Sequence, residues 1–582
     1  MRIDNSICFV LVCFLLFTAS FVSAKEYHVA KTGSDRGSGS KAAPFLTIGR
    51  AALVARAGDV ITVHMGIYRE LVAPAVGGSA ENSRITYRAA KSEKVEIKGS
   101  EIVRGWRETR EGVWELTLPD SFFGLYNPYK DLIYGDWFFP GNRKLHTGEV
   151  FLNGLALYEA ASQEQVHSGK SEAAPAGISS EKALPPDYTW FTFSSGDSTV
   201  IIANFHEKDP NRELVEINVR PACFYPARTG VNYLTVSGFY MTQAATQWAA
   251  PTAEQIGLIG TNWSKGWIIE NNVISDSKCV GITLGKDRAS GHNVWSADMQ
   301  KDGSVHYNEM IKRVFASGWN KQNIGSHLVR NNTVFNCGAA GICGSFGAAF
   351  SQISGNHIYD IYTRRSYYGA EMAGIKIHGA IDVLLKDNKI SNSFIGLWLD
   401  WMTQGTRVVN NVFEHNDYVD FFPEVNHGPY LAIGNTFLSP ISLKDWSEGG
   451  AYIGNLFNGL LTRAPQERAT PYFKPHSTEL VKIAPISGGD NRFYYNVFVT
   501  AGQDTSYVPP KMHAMDTPDT LMGYGTRIYQ DAAHRVIHDN NMATTDLSLA
   551  KKLLAKWMKK GRIPHLGSTV VSKQPFIDDQ VK

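Results

Sequence analysis

Two carboxylates, Asp400 and Glu424, occupy the same position relative to a repeated asparagine. Asp400 lies 11 residues before Asn411, and Glu424 lies 11 residues before Asn435. Two acids held close together can divide acid and base work between them, because each negative charge makes ionisation of the other group harder. Whether they do so depends on a fold that brings these two positions together.

The elements that must position these acids are short β-rich segments that recur from about residue 230 onward. Each carries one asparagine before its second apolar pair, at Asn272, Asn332, Asn356, Asn388, Asn411, Asn435, Asn455 and Asn496, in steps of 60, 24, 32, 23, 24, 20 and 41 residues. A period near 23 without helical periodicity is too short for propeller blades or helical repeats. The interchangeable Ile, Val, Phe and Leu also lack the fixed ladder of leucine-rich repeats. We therefore predict a right-handed parallel β-helix whose stacked asparagines satisfy backbone groups and are structural.

Stacking places residues at equal distance from successive asparagines one above another, about 4.8 Å apart. Asp400 and Glu424 are then vertical neighbours. In GLWLD, Leu397 and Leu399 alternate with Trp398 and Asp400, so leucines that face the core turn the tryptophan and the aspartate outward. Carboxyl groups about 5 Å apart match the ~5 to 5.5 Å of retaining glycosidases better than the ~6.5 to 9.5 Å of inverting ones. The pair predicts cleavage of a glycosidic bond with retention of configuration, whereas a single outward acid is usually a solvated surface charge.

Further charged and aromatic residues flank the same vertical line. Counting 11 residues back from Asn388 gives Ile377, which Lys376 and His378 flank. Counting 11 back from Asn455 gives Lys444, which Asp445 and Trp446 follow. Glu371 lies six residues before Ile377, at a bend from which it can lean over the same face. For Lys376 and His378, an ion pair or hydrogen bond that steadies the carboxylates is as good an interpretation as a substrate contact. Metal ligation by His378 lacks a spacing signature, and we predict no metal and no cofactor.

Composition narrows the class of partner. The 582-residue chain has 57 Lys plus Arg against 55 Asp plus Glu, a balance that argues against nucleic acid and favours a neutral partner. Its 13 tryptophans suit a carbohydrate, since apolar sugar faces pack on indole rings, although core packing is the ordinary role of tryptophan. We expect an oligosaccharide or polysaccharide substrate and no nucleic acid; whether the chain forms a homo-oligomer stays open.

The N-terminus predicts export. Residues 1–24 combine a short charged start, an apolar run from Ile7 to about Val22, and a small-residue exit that is typical of cleavage after Ala24. We expect a secreted or periplasmic protein without stable membrane insertion, since no later stretch approaches ~20 apolar residues. Four cysteines remain in the mature chain, namely Cys223, Cys279, Cys337 and Cys343. We expect buried thiols, and a disulfide across a loop between the last two stays open as an alternative.

The start and end of the asparagine repeat divide the chain into parts. They are a signal peptide (1–24), an N-terminal cap with a short helix and the first coils (25–103), an inserted antiparallel β domain (104–226), the main β-helix with the catalytic face (227–540), and a C-terminal helix and tail (541–582). A further insertion at 286–323 is expected to wall one face of the site. The C-terminal helix has a basic face that leaves a membrane surface open, but packing of its leucines and tryptophan on the body is favoured.

The segment GLWLDWMTQGTRVVNNVFEHNDYVDFFPEVNHGPY resembles glycoside hydrolase family 120, the β-xylosidase family built on a parallel β-helix. The segments YNPYKDLIYGDWF, HTGEVFLNGLALYE, WAAPTAEQIGLIGTNWSKGWIIENN and EMAGIKIHGAID are similar to the same family, so the resemblance spans about Tyr126 to Tyr430. It implies an all-β fold, a right-handed parallel β-helix interrupted by an inserted β-sandwich domain. It also implies a β-xylosidase that releases xylose from xylo-oligosaccharides.

The resemblance assigns roles residue by residue. Asp400 in WLDW corresponds to the nucleophile of a double displacement, and Glu424 in EVNHGP to the general acid/base. Glu371 in AEMAGIK matches an auxiliary active-site glutamate, and Trp137 in YGDWF matches a tryptophan that lines the sugar subsite. Nearby residues are expected to contact substrate, although plain packing explains Trp398 equally well. They are Lys376, His378, Trp398, His427 and Trp446.

Three other functions stay open. A polysaccharide lyase acting on an acidic plant or algal glycan would use a base such as Lys376, but the acid-rich site argues against it. A glycosidase for arabinose or fucose differs from one for xylose by a group that no motif reports. A non-catalytic carbohydrate-binding solenoid is not excluded by the fold, because fold does not imply function.

Overall fold

The computed structural model describes residues 24–168, 183–292, 303–464, 466–500 and 521–563. Three long sheets of 13, 12 and 9 strands run side by side, and successive coils contribute one strand to each. Within these sheets neighbouring strands pair in parallel, except for the last strand of the nine-stranded sheet. The predicted all-β parallel β-helix is confirmed. The predicted signal peptide, apart from its last residue, lies outside the described residues.

The strands of the three sheets are short, as expected where every coil turns three corners. Sheet 1 comprises Glu26–Val29, Val60–Val63, Ile85–Ala89, Leu234–Ser237, Ile268–Glu270, Leu328–Arg330, Gln352–Ser354, Leu384–Lys386, Arg407–Val409, Tyr430–Ile433, Gly450–Ile453, Arg492–Tyr494 and Ile537–Asp539. Sheet 2 comprises Gly66–Tyr68, Val95–Lys98, Tyr240–Thr242, Val273–Ser275, Thr333–Cys337, His357–Ile361, Lys389–Ser391, Val412–Glu414, Thr436–Phe437, Leu456–Phe457, Val497–Val499 and Met542–Thr544. Sheet 3 comprises Ile259–Gly260, Val280–Thr283, Ala340–Ser345, Ala373–His378, Ile395–Asp400, Val419–Glu424, Ile441–Asp445, Leu460–Arg463 and Leu521–Gly523.

A buried asparagine ladder forms the turn between sheet 1 and sheet 2. The backbone N–H of Asn388 donates to Oδ1 of Asn411 at 3.0 Å, and Nδ2 of Asn388 donates to the carbonyl of Ile353 at 2.9 Å. The same pattern links every predicted ladder position and continues for one further rung, to Asn541. The residue before each ladder asparagine has a positive φ, which explains why Asn, Asp and Gly dominate there. The predicted structural role of the asparagines is confirmed.

The inserted domain consists of two facing sheets between coils of the β-helix, and their strands pair antiparallel except for Tyr158–Glu159, which pairs in parallel with Thr189–Ser195. One contains Ser100–Ile102, Val150–Leu152, Leu155–Ala156 and Val215–Asn218, and the other contains Arg107–Arg110, Val113–Pro119, Tyr158–Glu159, Thr189–Ser195 and Ser198–Asn204. Their inner faces share an apolar core around the fully buried Trp190 and Phe205. Lys278 of the β-helix reaches into this domain, 3.4 Å from Glu149 and 3.6 Å from Glu159, and fastens the two bodies together.

Two short strand pairs and two 3₁₀ turns complete the β structure. The pairs are Phe138–Phe139 with Tyr368–Gly369, and Ala469–Phe473 with Leu480–Pro485; the turns are Asp120–Phe122 and Gly525–Tyr529. The second pair is a hairpin that leaves the β-helix between the ladder positions Asn455 and Asn496. We refer to residues 464–490 as the hairpin insertion.

Four helices are described, and each covers a surface of the β structure. They are α1 (Ile48–Val54), α2 (Gln163–Ser168), α3 (Gly303–Ala316) and α4 (Leu547–Lys559). The predicted cap helix is α1, which buries Ile48 against the first coils. Helix α4 buries Leu554 and Trp557 on the side of the β-helix, as favoured from the sequence. Among the described residues there is no helix with the length and apolar content that crossing a membrane requires.

The four cysteines of the described chain are free and buried. Cys337 ends a strand of sheet 2 and Cys343 lies within a strand of sheet 3, and neither pairs with the other. The alternative of a disulfide between these two residues is therefore wrong. Both are buried thiols, and burial raises their pKa and so keeps them protonated.

Candidate active site

The two predicted carboxylates meet at the same edge of sheet 3. The strand Ile395–Asp400 pairs in parallel with Val419–Glu424, and Asp400 is the register partner of Glu424. Leu397 and Leu399 are buried in the main core, while Asp400 contacts Lys376 and His378 on the other face of the same sheet. The predicted stacking of the two acids is confirmed. It follows from the equal spacing to the ladder, because a register partner in a β-helix is fixed by the length of the coil.

Two predicted neighbours are shifted along their strands. His378, not Ile377, is in register with Asp400, because only ten residues separate His378 from its ladder asparagine. Trp446, not Lys444, pairs with Glu424, because that coil is two residues shorter between the site and the ladder. The row of stacked residues that contains the two acids therefore runs from His378 through Asp400 and Glu424 to Trp446.

Asp400 is held by a lysine and a histidine from the coil below. Its Oδ2 lies 2.9 Å from Nε2 of His378 and 3.2 Å from Nζ of Lys376. Burial alone would raise the pKa of Asp400, but His378, Lys376 and Arg468 outweigh it and hold the pKa well below its usual range. Burial lowers the pKa of His378, which as a neutral ring can still donate from Nε2. Asp400 is thus an ionised carboxylate in a site from which water is largely excluded.

Lys376 joins Asp400 to Glu371. Its Nζ lies 3.0 Å from Oε1 of Glu371, donates to the carbonyl of Ala370 at 2.8 Å, and sits 3.3 Å above the ring centre of Trp398. Burial and the charge of Asp400 raise the pKa of Glu371 to about 8, against the opposing effect of Lys376. Glu371 leans over the face as predicted. The interpretation that an ion pair or hydrogen bond from Lys376 and His378 steadies the carboxylates is confirmed, with Lys376 forming ion pairs and His378 a hydrogen bond.

Glu424 has a different environment on the rung above Asp400. Its Oε2 accepts from Nε1 of Trp398 at 3.0 Å, and its Oε1 accepts from Nη2 of Arg468 at 2.5 Å. Burial and the neighbouring Asp400 raise the pKa of Glu424, while Arg468 and Lys376 act against this rise. The pKa values of the two stacked acids are therefore shifted in opposite directions, down for Asp400 and up for Glu424.

Two insertions cover the acids and bury them. Asp400 is 7% exposed, Glu424 6% and Glu371 7%, so the solvated surface charge considered from the sequence is wrong for all three. Tyr307 of α3 lies over His378 with a ring distance of 5.3 Å. On the other side, the hairpin insertion brings Arg468 to Glu424.

Helix α3 also contacts the segment that carries Trp137. Nδ1 of His306 lies 3.1 Å from Oδ1 of the fully buried Asp136, so the helix and this segment are tied beside the site. The carbonyl of Trp137 accepts from the N–H of Ala370, next to Glu371, and its ring packs against the apolar clusters beneath α3. Within the described part of the predicted insertion, 286–292 and 303–323, helix α3 does wall the site; the rest of the insertion lies outside the described residues.

The predicted substrate-contacting residues separate into two groups. Trp137, Lys376, His378, Trp398 and Trp446 lie around the acids. His427 does not face them: its Nδ1 lies 2.8 Å from Glu448, and its Nε2 lies within 3.2 Å of the carbonyls of Thr470 and Ala484. His427 therefore holds the hairpin insertion in place, a different role from the predicted substrate contact.

Arg468 and Tyr307 were missed because they belong to no repeat unit. Trp401, whose ring lies 5.0 Å from that of Tyr307, follows Asp400 in the same coil and was not singled out. A signal for Arg468 was present, since the 41-residue step from Asn455 to Asn496 exceeds the period and indicates an insertion. Tyr307 lies in an insertion that was recognised, but nothing in its local sequence marks that one ring. In the described chain no cluster of three or more His, Cys, Asp or Glu side chains has the geometry to hold a metal ion.

Comparisons with known proteins agree with this geometry. A family model described as "Glycoside hydrolase 120, insertion domain" matches residues 103–217, and one described as "Right handed beta helix region" matches residues 256–439. The solved structure described as "The complex structure of XylC with xylose" is 42% identical, with 90% of this chain and 86% of that chain covered and a TM-score of 0.80.

More distant structures are also found. One described as "Glycoside hydrolase" is 11% identical with a TM-score of 0.46, covering 91% of this chain and 98% of the other. A lacto-N-biosidase from Eubacterium ramulus is 12% identical with a TM-score of 0.35, covering 90% and 68%. At these values neither bears on the activity of this chain. No curated protein sequence matches it significantly.

Proposed function

Because this chain belongs to glycoside hydrolase family 120 and is a β-xylosidase-like glycoside hydrolase, we propose that it releases xylose from xylo-oligosaccharides by a retaining double displacement. The observation that carries the mechanism is the stacked pair of Asp400 and Glu424, whose pKa values move in opposite directions. The choice of xylose is supported by the 42% identical relative, which is described in complex with that sugar.

In the first step, ionised Asp400 attacks the anomeric carbon while protonated Glu424 donates to the departing glycosidic oxygen. A bond forms between Asp400 and the sugar, the glycosidic bond breaks, and Glu424 is left as a carboxylate. The lowered pKa of Asp400 supports its role as nucleophile, and the raised pKa of Glu424 supports its role as acid.

In the second step, a water molecule replaces the departed group. Glu424 removes a proton from this water as its oxygen bonds to the anomeric carbon, and the bond to Asp400 breaks. Glu424 regains its proton, so the enzyme returns to its starting state. Two inversions at one carbon give net retention.

The remaining residues position these groups and the sugar. Lys376 and His378 fix the orientation of the Asp400 carboxylate through the contacts described above. Glu371, whose pKa of about 8 keeps it protonated near neutrality, can donate to a sugar hydroxyl. Trp137 and Trp446 supply indole faces on either side of the acids. Because the acids are buried under two insertions, we propose exo action on a chain end.

We also propose that the protein is exported to the periplasm or the medium after cleavage behind Ala24, on the strength of the N-terminal sequence pattern. N-terminal sequencing of the exported protein would check this. A first residue other than Lys25, or retention in the cytoplasm, would contradict it.

The function is tested with p-nitrophenyl glycosides and the variant Asp400→Ala. We expect the wild type to cleave the β-xyloside in preference to the α-arabinoside and the α-fucoside. Asp400→Ala should lose at least about 10⁴-fold of this activity, since it removes the nucleophile. Glu414→Gln, which changes a partly exposed acid two residues past Val412 in sheet 2, is the matched control and should behave as the wild type.

Product analysis separates the remaining alternatives. Proton NMR of the first sugar released should show the β anomer, and an initial α anomer would contradict retention. Preference for the arabinoside or the fucoside would change the sugar. An unsaturated product that absorbs in the ultraviolet from an acidic glycan would assign a lyase, and binding without cleavage would assign a carbohydrate-binding solenoid.

A further inference from the structure

Arg468 contacts the acid/base candidate from outside the β-helix. It precedes the strand Ala469–Phe473 of the hairpin insertion, and its guanidinium donates to Oε1 of Glu424 at 2.5 Å. The guanidinium carbon lies 5.8 Å from the ring centre of Trp401 and 5.7 Å from that of Trp446. The side chain is 36% exposed, whereas that of Glu424 is 9% exposed. Arg468 thus lies between two indoles, where the site opens to solvent.

The hairpin that carries Arg468 is firmly anchored. Gln404 binds both the N–H and the carbonyl of Phe473, at 3.0 and 2.7 Å. Thr478 donates to the carbonyl of Trp319 at 2.6 Å, and His427 contacts the carbonyls of both hairpin strands. With its backbone held in this way, Arg468 has freedom only in its long side chain, whose Nε donates to Gln466 at 3.1 Å.

The contact with Arg468 conflicts with donation of a proton by Glu424. Both carboxylate oxygens of Glu424 already accept hydrogen bonds, one from Trp398 and one from Arg468. A second lone pair on each oxygen leaves room for a proton, but the positive charge of a donating guanidinium favours the carboxylate and so opposes protonation of Glu424 while the contact lasts. Trp398 is 2% exposed and is packed between Lys376 and Phe422, so it cannot withdraw. The half-exposed arginine is the partner that can.

Other charges around Glu424 do not have this freedom. Asp400, Lys376, His378 and Glu371 face it from sheet 3 and the bend below, and all four are at least nine-tenths buried and paired with one another. They act on Glu424 in the same way in both steps of the reaction. Among the charges that the structure describes around Glu424, the one that a bound sugar can displace comes from the hairpin.

We propose that Arg468 is a positioning residue that leaves Glu424 when the leaving-group sugar occupies the space between Trp401 and Trp446, and returns when that sugar departs. Without Arg468 beside it, Glu424 holds its proton and gives it to the glycosidic oxygen. With Arg468 restored, the resulting carboxylate is stabilised as the base that takes a proton from water. Arg468 stays protonated throughout, so the proton balance is that of the two steps above. This inference rests on the proposed function.

The test compares Arg468→Met and Arg468→Lys with Lys474→Met, a control that removes an exposed cation from the same hairpin. Xylobiose needs proton donation to its leaving group, whereas 2,4-dinitrophenyl β-xyloside does not. In Arg468→Met we expect the alkaline limb of kcat/KM for xylobiose to move to higher pH by about one unit, a tenfold change in proton affinity. Arg468→Lys should give a smaller move, because its single ammonium binds less strongly than the guanidinium.

The second step gives an independent readout. With the dinitrophenyl substrate, kcat of Arg468→Met at neutral pH should fall about tenfold, because less Glu424 is ionised as base. Azide, which attacks the glycosyl-enzyme without a base, should restore it. An alkaline limb that stays in place in Arg468→Met, or in Arg468→Lys where the first variant does not fold, overturns the inference. Failure of the wild type on both substrates would instead overturn the proposed function.

Discussion

At the level of single side chains, one lysine explains how three buried acids coexist. Nζ of Lys376 touches both Glu371 and Asp400, so one of these acids can ionise fully while the other keeps its proton. The indole of Trp398, which lies against the same ammonium, binds Glu424 from the other side. The proposed nucleophile and the proposed acid thus differ through their partners and not through their own chemistry, which the positions of Asp and Glu in the sequence alone do not indicate.

Tyr307 offers a test of a hydroxyl without a protein partner. Its ring is 1% exposed, and its O–H has no hydrogen-bond partner in the described part of the chain. Burial and the charges of Asp400 and Glu371 raise the pKa of Tyr307 well above its usual value, so it remains a neutral donor next to the acids. We expect the Tyr307 hydroxyl to bind substrate, so Tyr307→Phe should lower kcat/KM on the β-xyloside about tenfold, the value of one hydrogen bond.

Stability separates this role from a structural one. Tyr307→Phe removes a buried polar atom that lacks a partner, so the melting temperature should stay the same or rise. Tyr359→Phe, in a partly exposed ring on sheet 2, is a control that should change neither quantity. Full activity in Tyr307→Phe, or a loss of activity matched by a lower melting temperature, would refute the substrate contact.

Among the repeating elements, the asparagine ladder sets the register that aligns the acids. Asn411 accepts from the N–H of Asn388 and donates to the carbonyl of Leu385. Asn411→Ala leaves both of these buried backbone groups without a partner, so we expect a loss of about 2 to 4 kcal/mol in the free energy of unfolding. Chemical denaturation followed by circular dichroism measures it.

The control for the ladder is Asn458→Ala. Asn458 lies outside the ladder and is only partly buried, so its loss should cost under about 1 kcal/mol. Equal losses in the two variants would show that the ladder contributes no more than an ordinary side-chain hydrogen bond. A loss in Asn411→Ala accompanied by weaker xyloside cleavage would further link the register to the site.

The register of the two acids was predictable from the sequence because coil length alone decides it. The same counting failed by one residue at His378 and by two at Trp446, since coils absorb small length changes at their corners without disturbing the ladder. Arg468 and Tyr307 were beyond prediction for another reason. They enter the site from insertions whose path over the β-helix depends on long-range packing, such as that of Trp319 on Phe473, and not on any local period.

In the molecule as a whole, the insertions cover and enclose the face of sheet 3 that carries the acids. The β-helix is a straight array that presents its residues to solvent along one side. Helix α3, the hairpin insertion and the segment of Trp137 each cover part of that side, and they contact one another where Phe315 packs on Phe473. This enclosure removes water from the acids and so makes their mutual electrostatic effects large.

Burial of acids also makes the free energy of unfolding depend on pH, and Asp445, away from the acids of the site, can reveal this dependence. Asp445 lies inside the C-terminal end of the β-helix, where it accepts from Tyr529 at 2.6 Å and from Asn491 at 2.8 Å. Burial raises the pKa of Asp445 from 3.8 to about 6, despite these hydrogen bonds. Because the folded pKa exceeds the unfolded one, the folded state binds this proton more tightly. The stability that results is fully present below pH 3.8 and is lost as the pH rises to about 6.

We therefore predict that Asp445→Asn, which cannot ionise, flattens the decline of stability between pH 4 and about 6. The whole shift corresponds to roughly 3 kcal/mol, of which about 2 kcal/mol develops between pH 4 and 6 and should disappear from the difference between the free energies of unfolding at the two ends of this range. Asp539→Asn, an exposed acid on the last strand of sheet 1, is the matched control. Buried Asp420, whose pKa burial raises to about 7, and Glu371 act in the same direction at higher pH, so the wild type should keep losing stability above pH 6. The contrary outcome is that the free energies of unfolding of the wild type and Asp445→Asn differ by the same amount at every pH from 4 to 7. In that case Asp445 does not titrate in this range, and its contacts with Tyr529 and Asn491 form without its proton.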